Sequence, residues 1–108
     1  MTAKNKRDVF QAIADPTRRA ILLLLATQAL TPNALAEHFD LTRQAVSKHV
    51  KVLAEAELVK QKKTGREIYY EVNATKVKDI EKWLLKFKGL LEQRFSQLDD
   101  VLSKLKTK

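Results

Sequence analysis

Apolar residues recur at helical spacing in the first part of the chain and predict three short helices. The first covers 4–14, where Val9 and Phe10 begin an apolar edge. The second runs from 16 to 27 and contains five consecutive large aliphatic residues, so we expect it to be buried on several sides. The third covers 32–39. The second and third helices each follow a cap residue and place proline at the first helical position.

A fourth, amphipathic helix is predicted after Thr42, which is a good N-cap residue. Val46, Val50 and Leu53 fall at i, i+4 and i+7, so one stripe of this helix turns inward onto a core. The opposite face carries long hydrogen-bonding and cationic side chains. These are Arg43, Gln44, Ser47, Lys48 and Lys51.

Two short strands follow, at 58–63 and 68–73, and are joined through Thr64 and Gly65. Three cations surround the hairpin tip: Lys62, Lys63 and Arg66. Between 42 and 66, seven Lys and Arg residues stand against two Glu residues, a local excess of five positive charges. A tight turn between two helices, the second polar outside and followed by a basic hairpin, indicates a winged helix-turn-helix that binds DNA.

One long helix is predicted from Thr75 to about Lys106. Apolar residues recur in it every seven residues from Val77 onward, and Arg94 interrupts the seam between them. A helix of roughly 30 residues is about 45 Å long, more than a domain of this size can cover. We therefore expect its stripe to pair with a second copy of the chain. The alternative is a helical hairpin that folds back at Gly89.

The 108 residues predict a single compact domain of mainly α class with a small β-hairpin (α+β). Residues 1–74 form the winged part, and 75–108 form the dimerisation helix. A net charge of +8 favours a polyanionic partner. The absence of cysteine excludes disulfides and thiolate metal sites. No apolar run is long enough to cross a membrane and the amino end lacks a signal region, so we expect a cytoplasmic protein.

Three segments resemble the ArsR family of bacterial winged-helix repressors, in the order and spacing of that family. They are A-I-A-D-P-T-R-R-A-I-L-L-L-L (12–25), L-A-E-H-F-D-L-T-R-Q-A-V-S-K-H-V-K-V-L (35–53) and G-R-E-I-Y-Y (65–70). The resemblance implies a homodimer that binds an inverted repeat in double-stranded DNA and represses its own or a neighbouring promoter. It also implies that 42–54 enters the major groove and that 58–73 forms the wing.

The resemblance further implies that the first and last helices build the dimer interface. The residues expected there are Val9, Phe10, Ile80, Trp83, Leu84, Phe87, Leu91 and Leu98. Trp83 also fits a crevice beside that interface.

The metal sites known in this family do not match the residues of the chain. A thiolate site would need cysteines near Thr31–Asn33, and the other known site needs histidines on the last helix. That helix offers only Asp79, Glu81 and Glu92, which lack the imidazole or thiolate that holds zinc or copper well. We expect no metal and no cofactor, as in the metal-independent branch of the family. No feature specifies an effector.

The predicted recognition helix contains several candidate DNA contacts. Gln44 suits adenine, and Arg43 suits either a guanine base or a phosphate. Ser47 suits a base or a phosphate, and Lys48 and Lys51 suit phosphates. His49 is either a phosphate donor or a half-buried packing residue.

Two other functions remain open: a basic protein that coats nucleic acid without sequence preference, and a coiled-coil interaction module. An enzyme is not expected. The chain shows no nucleophile–base–acid set, and its two glycines cannot form a phosphate-binding loop.

Overall fold

A computed structural model of the chain describes residues 8–106. Contacts divide it into two compact units, one up to Val77 and one from Lys78 onward. The elements are α1 (Val9–Ala12), α2 (Pro16–Leu25), α3 (Pro32–Phe39), α4 (Arg43–Glu55), β1 (Val59–Thr64), β2 (Glu67–Val72) and α5 (Ala74–Lys106). This order confirms a mainly helical fold with a two-stranded antiparallel wing.

Side-chain caps begin α2, α3 and α4 where the sequence predicts them. A carboxylate oxygen of Asp15 accepts the Arg18 backbone N–H at 3.0 Å. The hydroxyls of Thr31 and Thr42 do the same for the third residue of the following helix, at 3.1 and 3.0 Å. Each cap satisfies a donor that the first turn of a helix leaves unpaired.

The turn between α3 and α4 is closed by a Schellman motif without glycine. Asp40 adopts the left-handed conformation at φ 56°. The Leu41 N–H donates to the Ala36 carbonyl at 2.9 Å, and the Asp40 N–H donates to Glu37 at 3.3 Å. The same arrangement ends α4, where Glu57 has φ 66°. Both turns therefore have a defined direction.

The core of the first unit lies between α2, α3, α4 and the base of the wing. Its largest fully buried side chains are Ile21, Leu35, Val46, Val50, Leu53 and Leu58. The second helix is not buried on several sides, contrary to expectation, because Ile21 and Leu25 face the core while Leu23 is 72 % exposed. It also ends at Leu25 rather than at residue 27.

The first helix is shorter than predicted within the described residues. It is capped by Asp8 and ends at Ala12, while positions 4–7 of the predicted helix lie outside the described residues. Two arginines of α2 donate hydrogen bonds to backbone carbonyls at the end of α1. Arg18 Nε donates to Ala12 at 2.6 Å, and a guanidinium nitrogen of Arg19 donates to Ile13 at 2.8 Å. These bonds stabilise the short connection between α1 and α2.

The wing is a hairpin with a two-residue turn at Gly65 and Arg66. Gly65 has φ 63° at the first turn position, as a type II′ turn requires. The strands run 59–64 and 67–72, one residue nearer the turn than predicted. Leu30 pairs with Tyr70 through two backbone hydrogen bonds of 3.0 and 2.8 Å. The segment before α3 therefore holds the wing in place.

The helix α5 has 33 residues and passes through Gly89 without a break, so the helical-hairpin alternative is wrong. At 1.5 Å per residue it is about 50 Å long. None of its residues is buried. Within 8–106, no helix combines the length and the apolarity that a membrane span needs.

Candidate nucleic-acid interface

The polar face of α4 lies open to solvent. At about 100° per residue, Gln44, Lys48 and Lys51 lie roughly opposite the buried stripe of this helix, and all three are exposed. Arg43 and Ser47 are also exposed but lie on one flank of the helix. The structure therefore brings the predicted recognition residues onto one surface, with two of them at its edge.

The wing presents its cations on two different faces. Lys63 pairs with Ile68 and lies on the face that continues to the buried Val59. Lys62 pairs with Tyr69 and lies on the opposite face, because side chains alternate along a strand. Both lysines are exposed, and their side chains leave the hairpin in opposite directions.

A cleft of about 340 Å³ connects the start of α3, the flank of α4 and the tip of the wing. The polar and charged residues that line it are Thr31, Asn33, Arg43, Ser47, Arg66, Glu67 and Tyr70. The structure thus places Arg43 and Ser47 beside Arg66. Residues 31–33 are not among the DNA contacts predicted from the sequence, which marks them only by the cap-plus-proline start of α3.

The single carboxylate at the cleft is already engaged. The Tyr69 hydroxyl donates to Glu67 Oε1 at 3.2 Å. This hydrogen bond, followed by the charge of Glu67, raises the pKa of Tyr69 above its ordinary value. Tyr69 and Glu67 share one face of β2, so the hydrogen bond holds the carboxylate toward that face.

His49 differs from the other predicted residues of the recognition helix because it is half-buried. Its Nδ1 atom lies 3.9 Å from a carboxylate oxygen of Asp15. The half-buried position agrees with the packing alternative, and a phosphate contact by His49 stays a prediction.

Comparison with known proteins agrees with this geometry. A family described as a helix-turn-helix domain matches residues 13–62. The chain is 41 % identical over 80 residues to the transcriptional repressor SdpR of Bacillus subtilis (strain 168), covering 74 % of this chain and 89 % of SdpR. It is 34 % identical over 73 residues to the arsenical resistance operon repressor of Staphylococcus xylosus, covering 68 % and 70 %. A solved ArsR-like transcriptional regulator from Rhodococcus sp. RHA1 matches with a TM-score of 0.74 and 29 % identity, covering 86 % and 88 %.

The chain belongs to the ArsR family. The resemblance and the predicted winged helix-turn-helix fold are thereby confirmed. The relatives are repressors and regulators of transcription, so this ArsR-family chain is a DNA-binding transcriptional repressor and not an enzyme.

The position at which the family resemblance would place a thiolate metal site carries other residues. Thr31, Pro32 and Asn33 occupy the start of α3, and none supplies a thiolate. His38 packs edge-on against Phe39, with ring centroids 4.8 Å apart. Across the part of the chain that the structure describes, no three His, Cys, Asp or Glu side chains form a group that could hold a metal ion.

The residues predicted at an ArsR-type dimer interface have different exposures. Val9 is 6 % exposed and packs in the core, and its place at the interface stays a prediction. Phe10 is 36 % exposed. On α5, Trp83 stacks on Phe87 with ring centroids 5.1 Å apart. The other predicted residues of α5 are exposed (Leu84, Leu98) or half-buried (Ile80, Leu91).

Proposed function

We propose that this chain is a homodimeric, sequence-specific repressor in the cytoplasm that binds an inverted repeat in its own or a neighbouring promoter. One observation carries this proposal. The Thr42-capped helix α4 has a solvent-exposed polar face and a wing rich in lysine and arginine beside it. A helix of this kind fits the major groove of B-DNA, which is about 12 Å wide.

Sequence preference would come from the centre of the α4 face. Gln44 has the amide donor and acceptor that pair with adenine N6 and N7. Lys48 and Lys51 would contact phosphates on either side of the groove. Each protomer contributes one such helix, so the two half-sites should lie about one helical turn apart, or a small multiple of it.

The homodimer is supported by the exposed apolar stripe of α5. Its exposed members include Leu84, Phe87, Leu98, Val101 and Leu105. A monomer rarely exposes a continuous apolar surface of this length, whereas a second copy of the same helix would cover it.

The repressor would act without a metal ion at the usual family positions, and the side chains of α5 support this. Asp79, Glu81 and Glu92 on α5 are carboxylates without a neighbouring imidazole on that helix. Zinc and copper are held better by histidine and cysteine.

Footprinting on the DNA upstream of the gene, at physiological salt, tests the proposal. We expect protection of an inverted repeat that scrambled DNA of equal length does not compete away. Equal competition by scrambled DNA would instead support a basic coating protein. Loss of DNA binding together with capture of another protein by residues 75–108 would support an interaction module. Release by low micromolar zinc, copper or arsenite would contradict the metal-independent part.

A further inference from the structure

The arginines of the first unit fall into two groups. Arg18 and Arg19 are bonded to backbone carbonyls at the end of α1. In contrast, the guanidinium groups of Arg43 and Arg66 form no hydrogen bond or ion pair with any other residue of 8–106. Both line the cleft between α3, α4 and the wing. Two guanidinium groups without a partner in the described residues therefore lie at one cleft.

The backbone adds to this positive potential, because the cleft is lined by the first residues of both α3 and α4. The N-terminal end of a helix carries a partial positive charge and unpaired N–H groups. The Thr31 hydroxyl oxygen accepts the Ala34 N–H, and Pro32 has no N–H group. The Asn33 N–H therefore remains the available donor of that first turn.

The acidic residue at the cleft, Glu67, forms no ion pair with either arginine within 8–106, so two cations face one anion and a formal excess of one positive charge remains. The Glu67 carboxylate accepts the Tyr69 hydroxyl, which lies on the face of the hairpin away from Ile68 and Tyr70. The cleft thus retains two cations and the Ser47 hydroxyl as donors for an anion.

The backbone segments that carry the two arginines are linked to the rest of the fold before any ligand binds. Leu30 and Tyr70 exchange two backbone hydrogen bonds, which attach the wing to the segment before α3. Thr42 caps the helix that begins with Arg43. A backbone held in this way loses little conformational freedom on binding, and the ordering of the two exposed arginine side chains is the cost that remains.

We infer that Arg43 and Arg66, with the Ser47 hydroxyl, bind one backbone phosphate of the DNA, in the cleft between the recognition helix and the wing. This inference rests on the proposed function and assigns its chemistry more finely. Arg43 lies on the flank of α4 and faces the cleft, whereas Gln44 lies at the centre of the exposed face. Arg43 therefore positions the helix on the phosphate backbone, and Gln44 contacts a base. Guanidinium groups suit this role because they bond phosphate oxygens in a bidentate manner.

Neutral phosphates test the assignment. A set of operator duplexes is prepared, each with one phosphate replaced by an uncharged methylphosphonate, and their affinities are measured for wild type, Arg43→Gln and Arg66→Gln. On unmodified DNA we expect each variant to bind about tenfold or more weakly, on operator and scrambled sequence alike. The slope of log affinity against log salt should become shallower for each variant. With one symmetry-related pair of methylphosphonates, Arg43→Gln and Arg66→Gln should bind the duplex as tightly as wild type does. The charged phosphate that both arginines contact is then already absent.

Lys62→Gln is the matched control, because it removes one positive charge from the opposite face of the hairpin. Its effect should not depend on the methylphosphonate that masks Arg43→Gln and Arg66→Gln. Unchanged thermal melting is expected for all three variants, since the three side chains are exposed.

Two outcomes would overturn different statements. If Arg43→Gln changes the preferred base in a binding-site selection, or if no phosphate position masks both arginine variants, the phosphate assignment is wrong while sequence-specific binding stands. If wild type itself does not distinguish operator from scrambled DNA, the proposed function fails.

Discussion

The Nδ1 atom of His49 lies 3.9 Å from a carboxylate oxygen of Asp15, and this contact joins the recognition helix to the start of α2. The same Asp15 side chain caps α2 by accepting the Arg18 N–H at 3.0 Å. The pKa of Asp15 lies below its ordinary value of 3.8, first because of that backbone hydrogen bond and then because of the charges of His49 and Arg18. Partial burial opposes this shift.

Acid should therefore weaken the fold through Asp15. A carboxylate whose pKa is lowered by folding contributes stability at pH values above its unfolded pKa, and this contribution disappears as the pH falls through the folded pKa. Asp15→Asn retains a capping oxygen but carries no charge. We expect it to melt below wild type at pH 7 and the two melting curves to converge below about pH 3.8. A difference in melting temperature that stays constant over this range would contradict the assignment.

The left-handed residue between α3 and α4 gives a prediction about stability. Asp40 has φ 56°, a conformation that glycine adopts without steric penalty and that β-branched residues rarely adopt. We expect Asp40→Gly to raise the free energy of unfolding by up to about 1 kcal/mol, and Asp40→Val to lower it by about 1–2 kcal/mol.

Urea unfolding measures both changes. Glu37→Gly is the control, because Glu37 lies within α3 and glycine there should destabilise by about 1 kcal/mol. A loss of stability in Asp40→Gly equal to that in Glu37→Gly would show that backbone strain at Asp40 is negligible.

Local signals in the sequence account for the boundaries of the central helices. Thr31 and Thr42 cap α3 and α4 where the sequence predicts them, because a cap depends only on residues within one turn. The inward stripe of Val46, Val50 and Leu53 also follows from spacing alone.

Features that depend on tertiary packing could not be predicted in this way. Five consecutive aliphatic residues leave every side of α2 apolar, so only the neighbouring elements decide that Leu25 is buried and Leu23 is exposed. The apolar side chain of Val9 suits a core and an interface equally well, so the pattern of its own helix does not predict that it is buried. The cleft joins residues from 31–33, from α4 and from the wing tip, and its composition depends on the pairing of Leu30 with Tyr70.

Gln44 provides the test of base recognition. Gln44→Ala should reduce the discrimination at one base pair of each half-site by about 1–3 kcal/mol, because a bidentate contact to adenine is lost. Binding-site selection with the variant should return a site that is degenerate at that position. Lys48→Ala is the comparison: removing a phosphate contact should weaken binding to all sequences by a similar factor. An unchanged selected site for Gln44→Ala would remove Gln44 from the base-contacting set.

The apolar stripe of α5 predicts how the proposed homodimer can be broken. Leu98 is 53 % exposed and lies within the stripe, whereas Gln93 lies roughly opposite the stripe at about 100° per residue. Leu98→Glu places an unpaired charge in the seam and should raise the dimer dissociation constant by about a hundredfold or more. Gln93→Glu introduces the same residue on the solvent side and should leave the dimer intact. Analytical ultracentrifugation over a range of concentrations measures both.

The Leu98→Glu variant should also bind a single half-site as well as it binds the full inverted repeat, because only a dimer places two recognition helices on one duplex. If Leu98→Glu stays dimeric at every concentration, the stripe does not form the interface between copies.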